Sequence, residues 1–114
     1  MLVATAALAP AASAGGSLPF LIVSPTAVHR GDIVALRGWS SHCPLGDPVL
    51  ILSRAFVHTH DFAGVSAVYA KVQRGGHFAA TTRIPPRRAA GRYRVTARCG
   101  GGGLGVNVPL DVRR

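Results

Sequence analysis

Apolar and polar positions alternate through most of this chain, most clearly from Gly91 to Val112, GRYRVTARCGGGGLGVNVPLDV. Tyr93, Val95, Ala97 and Cys99 fall on one face of an extended segment, with Arg92, Arg94, Thr96 and Arg98 on the other. Past a glycine turn, Leu104, Val106, Val108, Leu110 and Val112 repeat the period of two, which predicts a closing hairpin. Near the other end, FLIVS from Phe20 to Ser24 stops at Pro25, and Thr26 to His29 forms a second short piece, the pattern of a split edge strand. Arg30-Gly31-Asp32 turns into IVALRGW, which sets Val34 and Leu36 inward. A turn rich in Ser40, Ser41, Cys43, Pro44 and Gly46 then leads through Pro48 into VLILS. From Ala55 to Val72 the alternation is less regular and predicts a strand, a loop near Asp61 to Gly64, and a strand from Ser66 to Val72. Arg74-Gly75-Gly76 turns into HFAATTRI, with Phe78, Ala80, Thr82 and Ile84 on one face before Pro85-Pro86. About seven or eight short strands, turn signals every 8 to 12 residues or so and no helical period predict an all-β sandwich of antiparallel strands.

Composition narrows this picture. A chain of 114 residues is one domain, and its 48% hydrophobic content is largely Ala and Val, so a thin, β-branched core is expected. Residues 1–14, MLVATAALAPAASA, are small, apolar and uncharged and end in Ala12-Ser13-Ala14, a small-x-small cleavage pattern. They read as a signal peptide truncated at its start, since no Lys or Arg precedes the apolar run. Residues 15–19 would then be a disordered lead and 20–114 the domain. The run falls short of the roughly 20 apolar residues that span a membrane, so no transmembrane segment is expected in the mature chain. In an exported domain Cys43 and Cys99 should be joined, a cross-link worth about 4 kcal/mol on the chain-entropy model. The formal charge is +9, from 13 basic residues against 4 acidic ones, and such a surface favours anionic partners.

The succession IVSPTAVHRGDIVALRGWSSHC, GGHFAATTRIP and GRYRVTARCGGGGLGVNVPLDV carries the phrases S-P, G-D-x-V-x-L-x-G, G-x-F and G-x-Y-x-V-x-A-x-C. Over most of residues 20–112 it resembles exported bacterial Ig-like domains. The resemblance implies an Ig-like β-sandwich and a small binding or spacer module at the cell surface. Two positions depart from the antibody-type pattern. Tyr93 stands six residues before Cys99, where a tyrosine corner stands two before, and Cys43 follows Trp39 instead of preceding it. The bridge is therefore expected to tie a loop end to the last hairpin.

Candidate chemistry is sparse. On a strand, His58 and His60 would point to one side about 7 Å apart, a spacing that can share a metal ion if His29, His42, His77 or Asp61 adds a third ligand. Two neighbouring histidines are more often simply solvated. Gly64-Val65-Ser66-Ala67-Val68 lacks the second glycine of a nucleophile elbow, and Asp32, Asp47, Asp61 and Asp111 are the entire acidic inventory. The expectation is accordingly no enzyme and no cofactor. Arg92, Arg94 and Arg98 form an outward stripe with Arg87 and Arg88 just before it, a candidate anion-binding face because guanidinium groups pair with phosphate and carboxylate in bidentate fashion. An anionic envelope polymer, a glycan or an envelope protein fits such a face, whereas export and the absence of interleaved aromatic residues disfavour nucleic acid. The sequence thus points to a non-enzymatic exported module, secreted or held at the envelope, that contacts an anionic partner. A small-ligand or metal carrier centred on His58, His60 and the neighbouring Phe56, Phe62 and Tyr69, and a structural spacer, stay open as alternatives.

Overall fold

The computed structural model describes residues 18–100 and 102–114; the expected signal peptide and residues 15–17 of the lead lie outside the described residues. Among the described residues the chain is all-β, with no helix. Its nine strands are β1 (Phe20–Ser24), β2 (Ala27–His29), β3 (Ile33–Trp39), β4 (Pro48–Leu52), β5 (His60–Phe62), β6 (Val65–Lys71), β7 (His77–Arg83), β8 (Gly91–Cys99) and β9 (Gly102–Arg113). They form a three-stranded sheet in the order β1-β3-β7 and a six-stranded, curled sheet in the order β2-β9-β8-β4-β6-β5.

Period-two alternation builds the core. Leu21, Val23, Val34, Leu36 and Phe78 of the smaller sheet join Val49, Ile51, Val95, Ala97, Leu110 and Val112 of the larger one in a single buried cluster. The close approach of β1, β3 and β7 requires Gly38: a Cβ there would run into the carbonyl oxygen of Phe20 and the ring of Phe78.

The predicted split of the first apolar run is a change of sheet. β1 pairs antiparallel with β3, whereas β2 pairs parallel with β9. Pro25 has no N–H to offer the first ladder, so the chain can leave it and cross over. The closing hairpin forms as expected, but its turn is narrower than four glycines suggest, because Cys99 already pairs with Gly102. The slack appears within β9: register shifts between Thr96, opposite Asn107, and Arg98, opposite Gly103, and Gly105 takes a positive φ of 76° in the extra segment.

The strand expected after Ala55 is replaced by a loop. Ala55 and Phe56 are buried there, and the backbone groups find partners outside any ladder. Ala55 N–H donates to Ser53 Oγ (3.1 Å), Val57 N–H donates to the Arg83 carbonyl (2.9 Å), and Arg88 Nη2 donates to the Phe56 carbonyl (3.2 Å). The segment anticipated as a loop near Asp61 is instead the β5–β6 hairpin, turned by Ala63 and Gly64.

Cys43 and Cys99 form a disulfide with a Cα–Cα distance of 5.7 Å, tying the β3–β4 loop to the end of β8. Such a bridge belongs to a non-reducing setting. Tyr93 Oη donates to the carbonyl of Ala89 at 2.6 Å. The bond back to the preceding corner is therefore made even though Tyr93 stands farther from its cysteine than in antibody-type domains.

Candidate anion-binding face

The outward face of the six-stranded sheet gathers most of the distinctive side chains. Leu50 stands opposite Tyr69 on one side and Arg98 on the other, and Leu52 stands opposite Ala67 and Thr96. His60 stands opposite Ala67 and Phe62 opposite Val65. Along β9, Pro109 and Asp111 stand opposite Arg94 and Arg92.

Side chains from distant strands meet over this face. The Arg98 guanidinium carbon lies 4.3 Å from the centroid of the Phe62 ring, so the two reach toward each other across β4 and β6. Beside them the His60 and Tyr69 rings stack at 4.0 Å with 10° between planes. Ala67, although it points outward, is buried, while Leu50, Leu52 and Val65 are half-buried.

Next to this cluster an open groove of about 560 Å³ is lined by Arg54, Arg92, Arg94, Phe62, Leu52 and Thr96, among others. A further depression of about 510 Å³ continues it between Arg92, Arg94, Asn107 and Pro109. Arg92 Nε donates to Asp111 Oδ1 at 3.0 Å, and this hydrogen bond, followed by the attraction of the two charges, raises the Arg92 pKa above its ordinary value. Arg54 and Arg94 are exposed and have no carboxylate partner among the described residues.

Three of the five predicted arginines, Arg92, Arg94 and Arg98, stand on this face. Arg88 is turned aside by its bond to the Phe56 carbonyl, and Arg87, exposed on the linker, does not line the groove. Arg54 is an addition that sequence reasoning missed; Phe62 and Tyr69 are expected from sequence beside His58 and His60, and what the sequence does not show is that they share this face with the arginines. Arg54 could have been found by continuing the alternation of Leu50 and Leu52 one step past the strand. Phe62 and Tyr69 come from segments distant in sequence and meet β8 only through the sheet order.

The histidine pair is placed differently from expectation. His58 precedes β5 in the loop, with Nε2 at 3.7 Å from Asp61 Oδ1, and only His60 is on the strand, taken up by its stack on Tyr69. The shared strand face assumed for the two imidazoles therefore does not form, because the burial of Ala55 and Phe56 keeps the chain in a loop up to Thr59. Among the described residues no three His, Cys, Asp or Glu side chains are grouped to hold a metal ion, and no helix is long and apolar enough to cross a membrane.

No family model matches the chain, and no curated protein matches it. Among solved structures it is similar to the Pseudomonas fluorescens alkylpurine DNA glycosylase AlkC bound to DNA containing an abasic site analog, at a TM-score of 0.50 and 16% identity. The match covers 88% of this chain and 32% of that one, so the chain spans about a third of the length of that protein. At this identity the likeness shows the fold alone. It nevertheless corrects the expectation that the chain is no enzyme. The same fold occurs within an enzyme chain, so the missing nucleophile elbow and carboxylate pair do not exclude a part in catalysis.

Proposed function

We propose that the chain is an exported Ig-like binding module, acting at the cell envelope or outside the cell, that holds an anionic partner on the outward face of its six-stranded sheet. The run β9-β8-β4 follows the G-F-C order of Ig-like sandwiches, and β6 and β5 extend it on the side where variable-type domains carry extra strands. The tyrosine bond at the start of β8 and the disulfide support the same reading, the latter because such bridges persist in oxidising compartments.

The convergence of Arg54, Arg92 and Arg94 on one groove carries the functional part. Among the described residues Arg54 and Arg94 have no carboxylate partner, and only 4 acidic residues oppose 13 basic ones in the whole chain. Replacing both by serine should lower affinity for labelled heparin, used as a model polyanion, by about tenfold or more at low salt, since each charge-assisted contact is worth about 1.5–3 kcal/mol. Fluorescence anisotropy reads this directly, and unchanged affinity in the double variant rejects the reading.

A further inference from the structure

The outward face pairs its charges with flat, partly open π surfaces. Tyr69 is 47% exposed and stacks on exposed His60, so the stacked pair is open to solvent. The guanidinium of half-buried Arg98 lies over the Phe62 ring, 4.3 Å from its centroid. His60 and Phe62 are two residues apart on β5 and face the same way, so the two stacked units stand about 7 Å apart along the strand. Phe62 also lines the groove that Arg54, Arg92 and Arg94 surround, which joins the Arg98-Phe62 unit to the basic groove.

A polymer that has only charge would use the arginines and leave these surfaces idle. A single-stranded nucleic acid matches both halves: its phosphates suit a basic groove, and its bases stack on aromatic rings and on guanidinium planes. We propose that the anionic partner of this face is single-stranded nucleic acid, with phosphates along Arg54 and Arg94 and bases against Tyr69-His60 and Arg98-Phe62. The proposal rests on the polyanion reading given above. It also removes one of the two objections raised from sequence, since aromatic side chains are interleaved with the basic ones once β5 and β6 are laid beside β4 and β8.

The test compares three probes on the full chain by fluorescence anisotropy at one salt concentration: oligothymidylate of about 12 nucleotides, inorganic polyphosphate of matched charge, and heparin. Oligothymidylate should bind at least about tenfold more tightly than polyphosphate, which carries phosphates without rings. Tyr69→Ala should weaken oligothymidylate binding by about fivefold or more and leave polyphosphate binding unchanged, whereas Tyr69→Phe should restore it. Equal affinity for the two phosphate polymers, or no effect of Tyr69→Ala, overturns the proposal while leaving the polyanion reading intact. Tighter binding of heparin, weakened by Tyr69→Ala, overturns it in favour of an acidic glycan. Failure of all three probes to bind removes both readings.

Discussion

Ala63 is the non-glycine residue with a positive φ among those described, at 52°, and with Gly64 at 83° it links β5 to β6. Two-residue hairpin loops with both positions left-handed strongly prefer Asn-Gly, because an alanine Cβ crowds the following carbonyl at a cost of about 1–2 kcal/mol. Ala63→Asn should therefore raise stability by about 0.5–1 kcal/mol and the midpoint of thermal unfolding, followed by circular dichroism, by about 4 °C. An unchanged or lowered midpoint would show that the turn carries no such cost. The same turn places Phe62 beneath Arg98, so local backbone chemistry sets one edge of the groove. The arginines on this face also differ from one another. Arg92 is held by Asp111 in an exposed pair that adds little to stability, whereas Arg54 and Arg94 keep their donors available.

Among the elements, strands that alternate cleanly are legible in the sequence. Phe20–Ser24 and Ile33–Trp39 fall where the pattern puts them, and β8 divides Tyr93, Val95, Ala97 and Cys99 from its four outward residues as expected. Legibility failed between Ala55 and Gly64, where buried Phe56 mimics a strand residue although its carbonyl accepts from the Arg88 side chain and not from a strand ladder. Part of the candidate face was lost with that segment, because its Phe62 reaches Arg98 only through the β8-β4-β6-β5 order, a non-local pairing that no single window displays. The disulfide was legible from the two lone cysteines and the expectation of export, and its position gives it a large effect. It clamps the β3–β4 loop to a hairpin that would otherwise end in glycines. Replacing both Cys43 and Cys99 by alanine should lower unfolding stability by about 4 kcal/mol, as the loop-closure model gives for a separation of 56 residues. Urea titration of the oxidised protein and the double variant checks this; coincident midpoints would mean that the bridge does not constrain the unfolded chain.

At the scale of the whole molecule, the issue is whether affinity follows total charge or its placement. Thirteen basic residues are spread over the chain, and a surface with a net +9 attracts polyanions without any site. Placement makes a separate prediction. Arg37 lies exposed on β3 in the three-stranded sheet, and Arg74 lies in the β6–β7 turn; neither lines the groove. Arg37→Ser with Arg74→Ser removes the same two charges as Arg54→Ser with Arg94→Ser, so the long-range attraction falls by a similar amount in both variants. The contacts with the polymer differ. Each direct phosphate contact on a single strand contributes about 0.7 to the slope of log affinity against log salt, so loss of Arg54 and Arg94 should flatten that slope by about 1.4. The Arg37/Arg74 variant should keep the slope of the parent chain and shift affinity by less than about threefold, because exposed charges beyond a Debye length of about 10 Å at 0.1 M salt are largely screened. Titrations of oligothymidylate at several salt concentrations separate the cases. Equal flattening in both variants would mean that the chain binds through diffuse charge, and the outward face of the six-stranded sheet would then hold no privileged position.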